Sequence, residues 1–176
     1  MSSAKMVCAC VAIMATLGVG AAFLGTGRHE AAPVVEAHAN DVQTANDLRQ
    51  AAERGDAEAQ VKLGTCYLFG IDAPEDKAEG LKWVRLAADQ GNGEALFNLG
   101  CYCSFGIGVI QDDVQAVTLF RQAAEQGNVN AQYCLGVRYR QGLGVDRDEA
   151  EGLMWIRQAA KHGDAKAKEV LCELGK

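Results

Sequence analysis

Only a few side chains in this 176-residue sequence have the chemistry of a catalytic nucleophile or base. Ser104 is the only serine after residue 3, and a serine nucleophile needs a base such as histidine within hydrogen-bonding distance. No histidine lies near Ser104 in the sequence, and a Ser-x-x-Lys string, Ser2–Lys5, is confined to the extreme N-terminus. We therefore expect no catalytic residues, no metal ligands and no cofactor.

Cysteine thiols are the other reactive groups. Five of the seven cysteines follow the apolar N-terminal stretch: Cys66, Cys101, Cys103, Cys134 and Cys172. An odd number leaves at least one thiol unpaired within a monomer, and a free cysteine commonly acts as a small core residue. Their positions follow no common spacing, so we expect a fold that does not depend on disulfides.

A repeat of 36 residues indicates which secondary-structure elements position these side chains. The stretch GNGEALFNLGCYCSFGIGV, which begins at Gly91, returns as GNVNAQYCLGVRYRQGLGV from Gly127. Glycine followed by Asp or Asn, as in Gly55-Asp56, marks the end of one helix and the capped start of the next. A second glycine inside each unit precedes an Asp capping residue, with Glu or Gln three positions later. Each unit is therefore predicted to be helix A, a loop, helix B and a tight turn.

Apolar residues recur at equivalent positions of the repeats, between these helix boundaries. In helix A, an alanine and a leucine stand four residues apart, as at Ala95 and Leu99, which places both on one face. A helix pair this short cannot bury its apolar face alone, so the units must stack. The sequence thus predicts an all-α solenoid of helix-turn-helix repeats with a 36-residue period. The predicted units are a half repeat, three full repeats and a terminal helix, at 41–54, 55–90, 91–126, 127–162 and 163–176.

One arginine recurs in every helix B, namely Arg49, Arg85, Arg121 and Arg157. An acidic residue follows four positions later in three copies: Glu53, Asp89 and Glu125. We therefore expect local i,i+4 ion pairs rather than a basic ladder that binds an anionic partner. His162 occupies the position of Gln90 and Gln126, so it is expected to be a solvated residue at a helix end.

The N-terminus differs from the repeats. The run from Met6 to Leu24 is apolar and follows Lys5, which indicates a signal peptide or membrane anchor within residues 1–27. Residues 28–40 are predicted to be a linker. We expect an exported, extracytoplasmic or periplasmic location, with cleavage or retention as an inner-membrane anchor (residues 6–24) left open. The formal net charge of −6 argues against a nucleic-acid partner.

The order of the columns, A…LG…Y..G.GV…D…A…W…AA..G, resembles the Sel1-like repeat (SLR), a relative of the tetratricopeptide repeat. The resemblance covers residues 41–176 and implies a right-handed α-solenoid in which helix A lines the concave side. It also implies an adaptor that holds proteins together. Two departures stand out: Asp72 replaces a loop glycine, and the middle repeat has Cys103 and Leu119 in place of Tyr and Trp.

If helix A lines the concave side, its surface away from Leu99 is expected to bind the ligand. At about 100° per residue, Phe97 lies about 160° from Leu99, and Tyr133 has the same relation to Leu135. The predicted partner-binding residues are Phe97, Tyr133, Val61, Cys101, Val137 and Arg140. The alternative is that neighbouring helices cover these side chains.

Together these observations favour a non-catalytic scaffold or adaptor, exported or membrane-tethered, that binds a protein or peptide on its concave face. A narrower alternative is an inhibitor or immunity protein that neutralises a partner in the cell envelope. A cell-wall or β-lactam hydrolase is disfavoured because no nucleophile and base converge. Contact with a membrane is expected only through the N-terminal segment.

Overall fold

The computed structural model describes residues 46–175, and this part of the chain contains eight helices and no strand. The helices are α1 (46–53), α2 (Ala57–Phe69), α3 (Lys77–Asp89), α4 (Gly93–Phe105), α5 (Asp113–Glu125), α6 (Val129–Gln141), α7 (Glu149–Lys161) and α8 (Ala165–Glu173). The even-numbered helices are the predicted A helices and the odd-numbered ones the B helices. This confirms the all-α repeat architecture. The predicted leader, the linker and the start of the half repeat lie outside the described residues.

The A helices begin and end at the predicted residues. Each N-cap side chain accepts a hydrogen bond from the backbone N–H three positions later: Asp56, Asn92, Asn128 and Asp164. The glycines that follow α2, α4 and α6 adopt the left-handed conformation and return their N–H groups to the last turn. Asp72 takes the same conformation with a φ of 56°, so the first loop keeps the turn although it lacks the glycine.

The B helices begin with half of the predicted capping box. Asp76, Asp112 and Asp148 each accept from the backbone N–H of the residue three positions later. Their own backbone N–H groups donate to carbonyls at the end of the preceding A helix, at 2.8 to 2.9 Å, rather than to a Glu or Gln side chain. Each loop is therefore closed by a hydrogen bond to the helix before it.

A glycine column allows each A helix to approach its own B helix. An added Cβ at Gly64 would lie 2.6 Å from Val84 Cγ2 and 2.7 Å from the Gly80 backbone oxygen. An added Cβ at Gly136 would lie equally close to Ile156 and Gly152. At Gly100 the added Cβ would instead lie 2.7 Å from the Phe120 ring, so each glycine of this column is needed for close packing against helix B.

The A helices form an inner layer and the B helices an outer one. In α4 every residue from Ala95 to Ser104 is buried, whereas α5 buries one face, including Phe120. An inner helix is covered by its own B helix and by the helices of the neighbouring repeats. The A helix of the middle repeat is the most deeply buried of all, although Cys103 and Leu119 replace the larger Tyr and Trp in this repeat.

Candidate interaction surfaces

Three of the predicted partner-binding residues are buried in the core. Phe97, Val61 and Cys101 are each only 1% exposed. Phe97 packs against Phe120 of α5, with ring centroids 5.8 Å apart. The expectation that these three side chains are exposed is therefore wrong. The angular argument considered one helix and its own partner, but an inner helix is also covered by adjacent repeats.

The other three predicted residues, Tyr133, Val137 and Arg140, are half-buried on α6. Tyr133 packs against apolar clusters on both sides of α6. Arg140 Nε lies 3.1 Å from Glu149 Oε1, so its charge is paired within its own repeat. These three side chains retain a surface that a partner could contact, and their role in binding stays a prediction.

Exposed charges on the inner layer lie where α2 and α4 meet. Glu58 and Lys62 on α2 and Glu94 on α4 are exposed, and the two helices are close enough for their charges to interact. Partial burial, followed by repulsion from Glu58, raises the pKa of Glu94, while Lys62 opposes this shift. Asn98 lies one turn after Glu94, and its buried Nδ2 has no hydrogen-bond partner among the described protein atoms.

Ser104 is part of a charged network between the second and third repeats. Arg138 of α6 donates to Ser104 Oγ of α4, and its other terminal nitrogen lies 2.8 Å from Asp113 Oδ1 of α5. The guanidinium also stands 5.2 Å from the centre of the Phe120 ring. Because this pair ties α6 to both helices of the preceding repeat, Ser104 has a structural role here. Sequence reasoning missed Arg138, since its equivalents, Cys66 and Tyr102, are not basic.

The arginine column packs on tyrosines of the following repeat. Arg121 Nη2 donates to Tyr139 Oη at 2.6 Å, and Arg49 makes the same hydrogen bond to Tyr67. Both guanidinium groups lie within 6 Å of the ring centre that they contact. Among residues 46–175, the expected i,i+4 ion pairs of this column are not formed. In the middle repeat Cys103 stands where Arg85 would meet a tyrosine.

Buried glutamines provide a second recurring contact between repeats. Gln132 Nε2 donates to the Ala124 carbonyl of the preceding helix B at 3.1 Å. Its Oε1 lies 3.0 Å from His162 Nδ1, at the end of the following helix B. Gln60 bridges Ala52 and Gln90 in the same way. His162 is thus exposed, as expected, but it also completes a polar bridge.

The five cysteines in the described part of the chain are free thiols. Burial, followed by repulsion from Asp72, raises the pKa of Cys66. Burial and the Asp112 carboxylate raise the pKa of Cys103, and Arg85 opposes them. A raised pKa lowers the thiolate fraction and hence the reactivity of both side chains. Cys103 Sγ instead donates to Gln115 Oε1 at 3.3 Å.

None of the helices between residues 46 and 175 has the length and apolar character needed to cross a bilayer. The predicted signal or anchor segment lies outside these residues.

Three solved structures resemble the chain in fold. A Sel1 repeat protein from Oxalobacter formigenes is 34% identical, with a TM-score of 0.69 over 74% of this chain and 98% of that one. The protective antigen c5321 of uropathogenic Escherichia coli, which displays an SLR fold, is 39% identical, with a TM-score of 0.71 over 72% of this chain. The match covers only 27% of that antigen. Helicobacter pylori cysteine rich protein B (hcpB) is 19% identical, with a TM-score of 0.60 over 72% of this chain and 96% of that one.

The comparison with curated proteins finds no match. The sequence model of the Sel1 repeat matches three consecutive segments, residues 57–92, 93–128 and 129–164. These segments have the predicted period and begin two residues after the predicted repeats. Three contiguous matches that coincide with three stacked helix pairs show that the chain belongs to the Sel1 repeat family.

Proposed function

We propose that this chain is a non-catalytic scaffold that binds a protein or peptide through its inner layer of helices. Sel1 repeat proteins generally mediate protein–protein interactions. The observation that carries the proposal is the run of three contiguous Sel1 repeats over residues 57–164. The side chains best suited to chemistry support it, because Ser104, His162 and Cys103 are engaged in contacts between helices.

The binding surface is proposed to be the exposed part of the inner layer, which we call the inner-helix face. It comprises Glu58, Lys62, Glu94, Tyr133 and Val137. The face combines charged groups on the first two full repeats with half-buried apolar side chains on the third. Such a combination suits an extended peptide or a protein loop, which offers charged and apolar side chains in succession. An inhibitor or immunity role would be a narrower form of the same binding function.

We also propose that the repeats are exported or held at the outer side of a membrane. This proposal is based on the apolar run at residues 6–24, which follows Lys5. An alkaline phosphatase fusion after residue 60 is expected to be active in a bacterial host. Activity only from a cytoplasmic reporter fused at the same place would contradict export.

Site-directed photo-crosslinking tests the binding function. A benzophenone side chain is placed at Lys62 or Val137 on the inner-helix face, with Leu86 on α3 as the matched exposed control. The proposal predicts one defined protein adduct from the two inner positions and none from Leu86. Absence of an adduct at both inner positions, or the same adduct at Leu86, would contradict it.

A further inference from the structure

The loops between the A and B helices form one continuous edge of the stack. An added Cβ at Gly108, in the second loop, would lie 2.9 Å from Leu81 Cδ1 and 3.3 Å from Lys77 Cβ, at the start of α3. An added Cβ at Gly144, in the third loop, would lie against the backbone of Asp113 and 2.8 Å from Val114 N. The second and third loops therefore each rest on the start of the preceding helix B. We call the equivalent segments 70–79, 106–115 and 142–151 the loop edge.

The loop edge has a high net negative charge. Its three segments contain ten carboxylates and two basic residues, a net charge of −8, whereas the whole chain has −6. The remaining residues are therefore slightly basic. Arg138 and Arg140 pair with Asp113 and Glu149 and offset two of these charges. The edge nevertheless presents a negative field to any approaching partner.

Helix capping explains only some of these carboxylates. Asp112 and its equivalents accept hydrogen bonds from the first turn of each helix B. Asp72 and Asp146 are exposed loop residues that cap no helix. Helix capping therefore does not account for these two charges. Both side chains are exposed on the loop edge.

Two apolar side chains stand within this acidic edge. Ile110, in the loop, is 91% exposed, and Val114, in the first turn of α5, is 65% exposed; both are more exposed than any other large apolar side chain in the described part of the chain. The equivalents of Ile110 are Pro74 and Asp146, and those of Val114 are alanines. The repeat therefore does not require aliphatic residues at these positions. Exposed apolar groups within a polar surround are typical of a protein-interaction site.

We propose that the loop edge is a second interaction surface, which binds a basic protein segment carrying an apolar side chain that packs on Ile110 and Val114. Charge complementarity selects this occupant, because a partner rich in lysine and arginine gains from the negative field. A symmetric contact with the loop edge of a second copy would place like charges together, and nucleic acid would be repelled. This surface lies on the loops and not on the inner-helix face, so it goes beyond the proposed function.

A peptide-binding experiment tests the proposal with the full-length chain. The probe is a fluorescein-labelled peptide of lysine and arginine with leucine at two positions four residues apart, and fluorescence polarisation reports binding. The first comparison probe has alanine in place of leucine, and the second has glutamate in place of the basic residues. We expect the leucine probe to bind most tightly, the alanine probe more weakly, and the glutamate probe not at all.

Variants assign the binding to the loop edge. The double variant Ile110→Ser/Val114→Ser should weaken binding of the leucine probe about tenfold or more, to the level of the alanine probe. Asp72→Asn/Asp146→Asn should weaken both basic probes by about threefold and reduce their salt dependence. The matched control Leu86→Ser/Met154→Ser removes exposed apolar side chains from α3 and α7 and should change nothing.

Three results would overturn the proposal. They are no binding of the leucine probe at millimolar concentration, equal binding of the glutamate probe, or undiminished binding by the Ile110→Ser/Val114→Ser variant. Thermal melts of each variant test whether the fold is retained. We expect unchanged melting temperatures because all of the substituted side chains are exposed. A change at Lys62 on the inner-helix face should leave the affinity for the probe unchanged, so this proposal and the proposed function can fail separately.

Discussion

Substituting two left-handed glycines should separate the effect of backbone strain from the effect of stacking between repeats. Gly127 and Gly144 have φ values of +88° and +71°, so alanine is strained at both positions. An added Cβ at Gly127 meets no atom within 4 Å. An added Cβ at Gly144 would overlap the backbone oxygen of Asp113 and lie 2.8 Å from Val114 N. The two substitutions therefore differ mainly in the contact between the third loop and α5.

The expected magnitudes follow from these contacts. Left-handed strain should lower the free energy of unfolding by about 1–2 kcal/mol in both variants. In Gly144→Ala the loop must also shift by roughly 1 Å, and overpacking of this kind adds about 1–3 kcal/mol. At about 3–5 °C per kcal/mol for a body of this size, the melting temperature should fall by about 3–10 °C for Gly127→Ala and about 6–25 °C for Gly144→Ala.

Circular dichroism at 222 nm during heating and in urea measures both variants against the parent chain. Because the backbone penalty is shared, the difference between the two variants is the decisive quantity. Equal losses of stability would refute the conclusion that the third loop packs directly on the start of α5. A larger loss for Gly127→Ala would refute it as well.

The remaining predictions concern the core and the contacts between helices. Phe97→Ala should lower the free energy of unfolding by about 3–5 kcal/mol in urea melts, because the ring is buried against Phe120. Arg138→Met should cost about 1–3 kcal/mol and Arg140→Met less than about 1 kcal/mol in the same assay, since only the first breaks a largely buried network. Burial raises the pKa of Tyr102 to about 12, so stability should hold below about pH 10, the unfolded value, and fall by up to about 3 kcal/mol towards pH 12. Tyr102→Phe should remove that alkaline loss, and an unchanged loss would contradict the assignment. Reduction with dithiothreitol should leave the melting temperature unchanged, because the described cysteines are free thiols.

The fold could be predicted because the ends of its helices are determined by local sequence. The turn at Gly127-Asn128 needs only a left-handed glycine and a capping oxygen, and both roles are visible in the sequence. Asp72 shows how far the pattern extends, because a loop position that has lost its glycine still adopts the left-handed conformation. Asp and Asn are among the few residues that tolerate it.

The candidate site could not be predicted in the same way. The burial of Phe97 depends on helices from adjacent repeats, and a helical wheel contains no information about those neighbours. Arg138 illustrates a second limit, since its partners Ser104 and Asp113 are 34 and 25 residues away and, within residues 46–175, the contact occurs between one pair of repeats only. Contacts that recur with the period, such as Gln132 with its preceding helix, are visible as a column, and single contacts are not.

The affinity of the chain for its protein partner tests the central claim most directly. The partner is the protein crosslinked through Lys62 or Val137, prepared in pure form, and calorimetry measures its dissociation constant with the parent chain and with Lys62→Ala/Val137→Ser. The account predicts an affinity loss of about tenfold or more with the melting temperature nearly unchanged, because both side chains are at least partly exposed. An unchanged dissociation constant in the double variant would contradict binding through the inner-helix face.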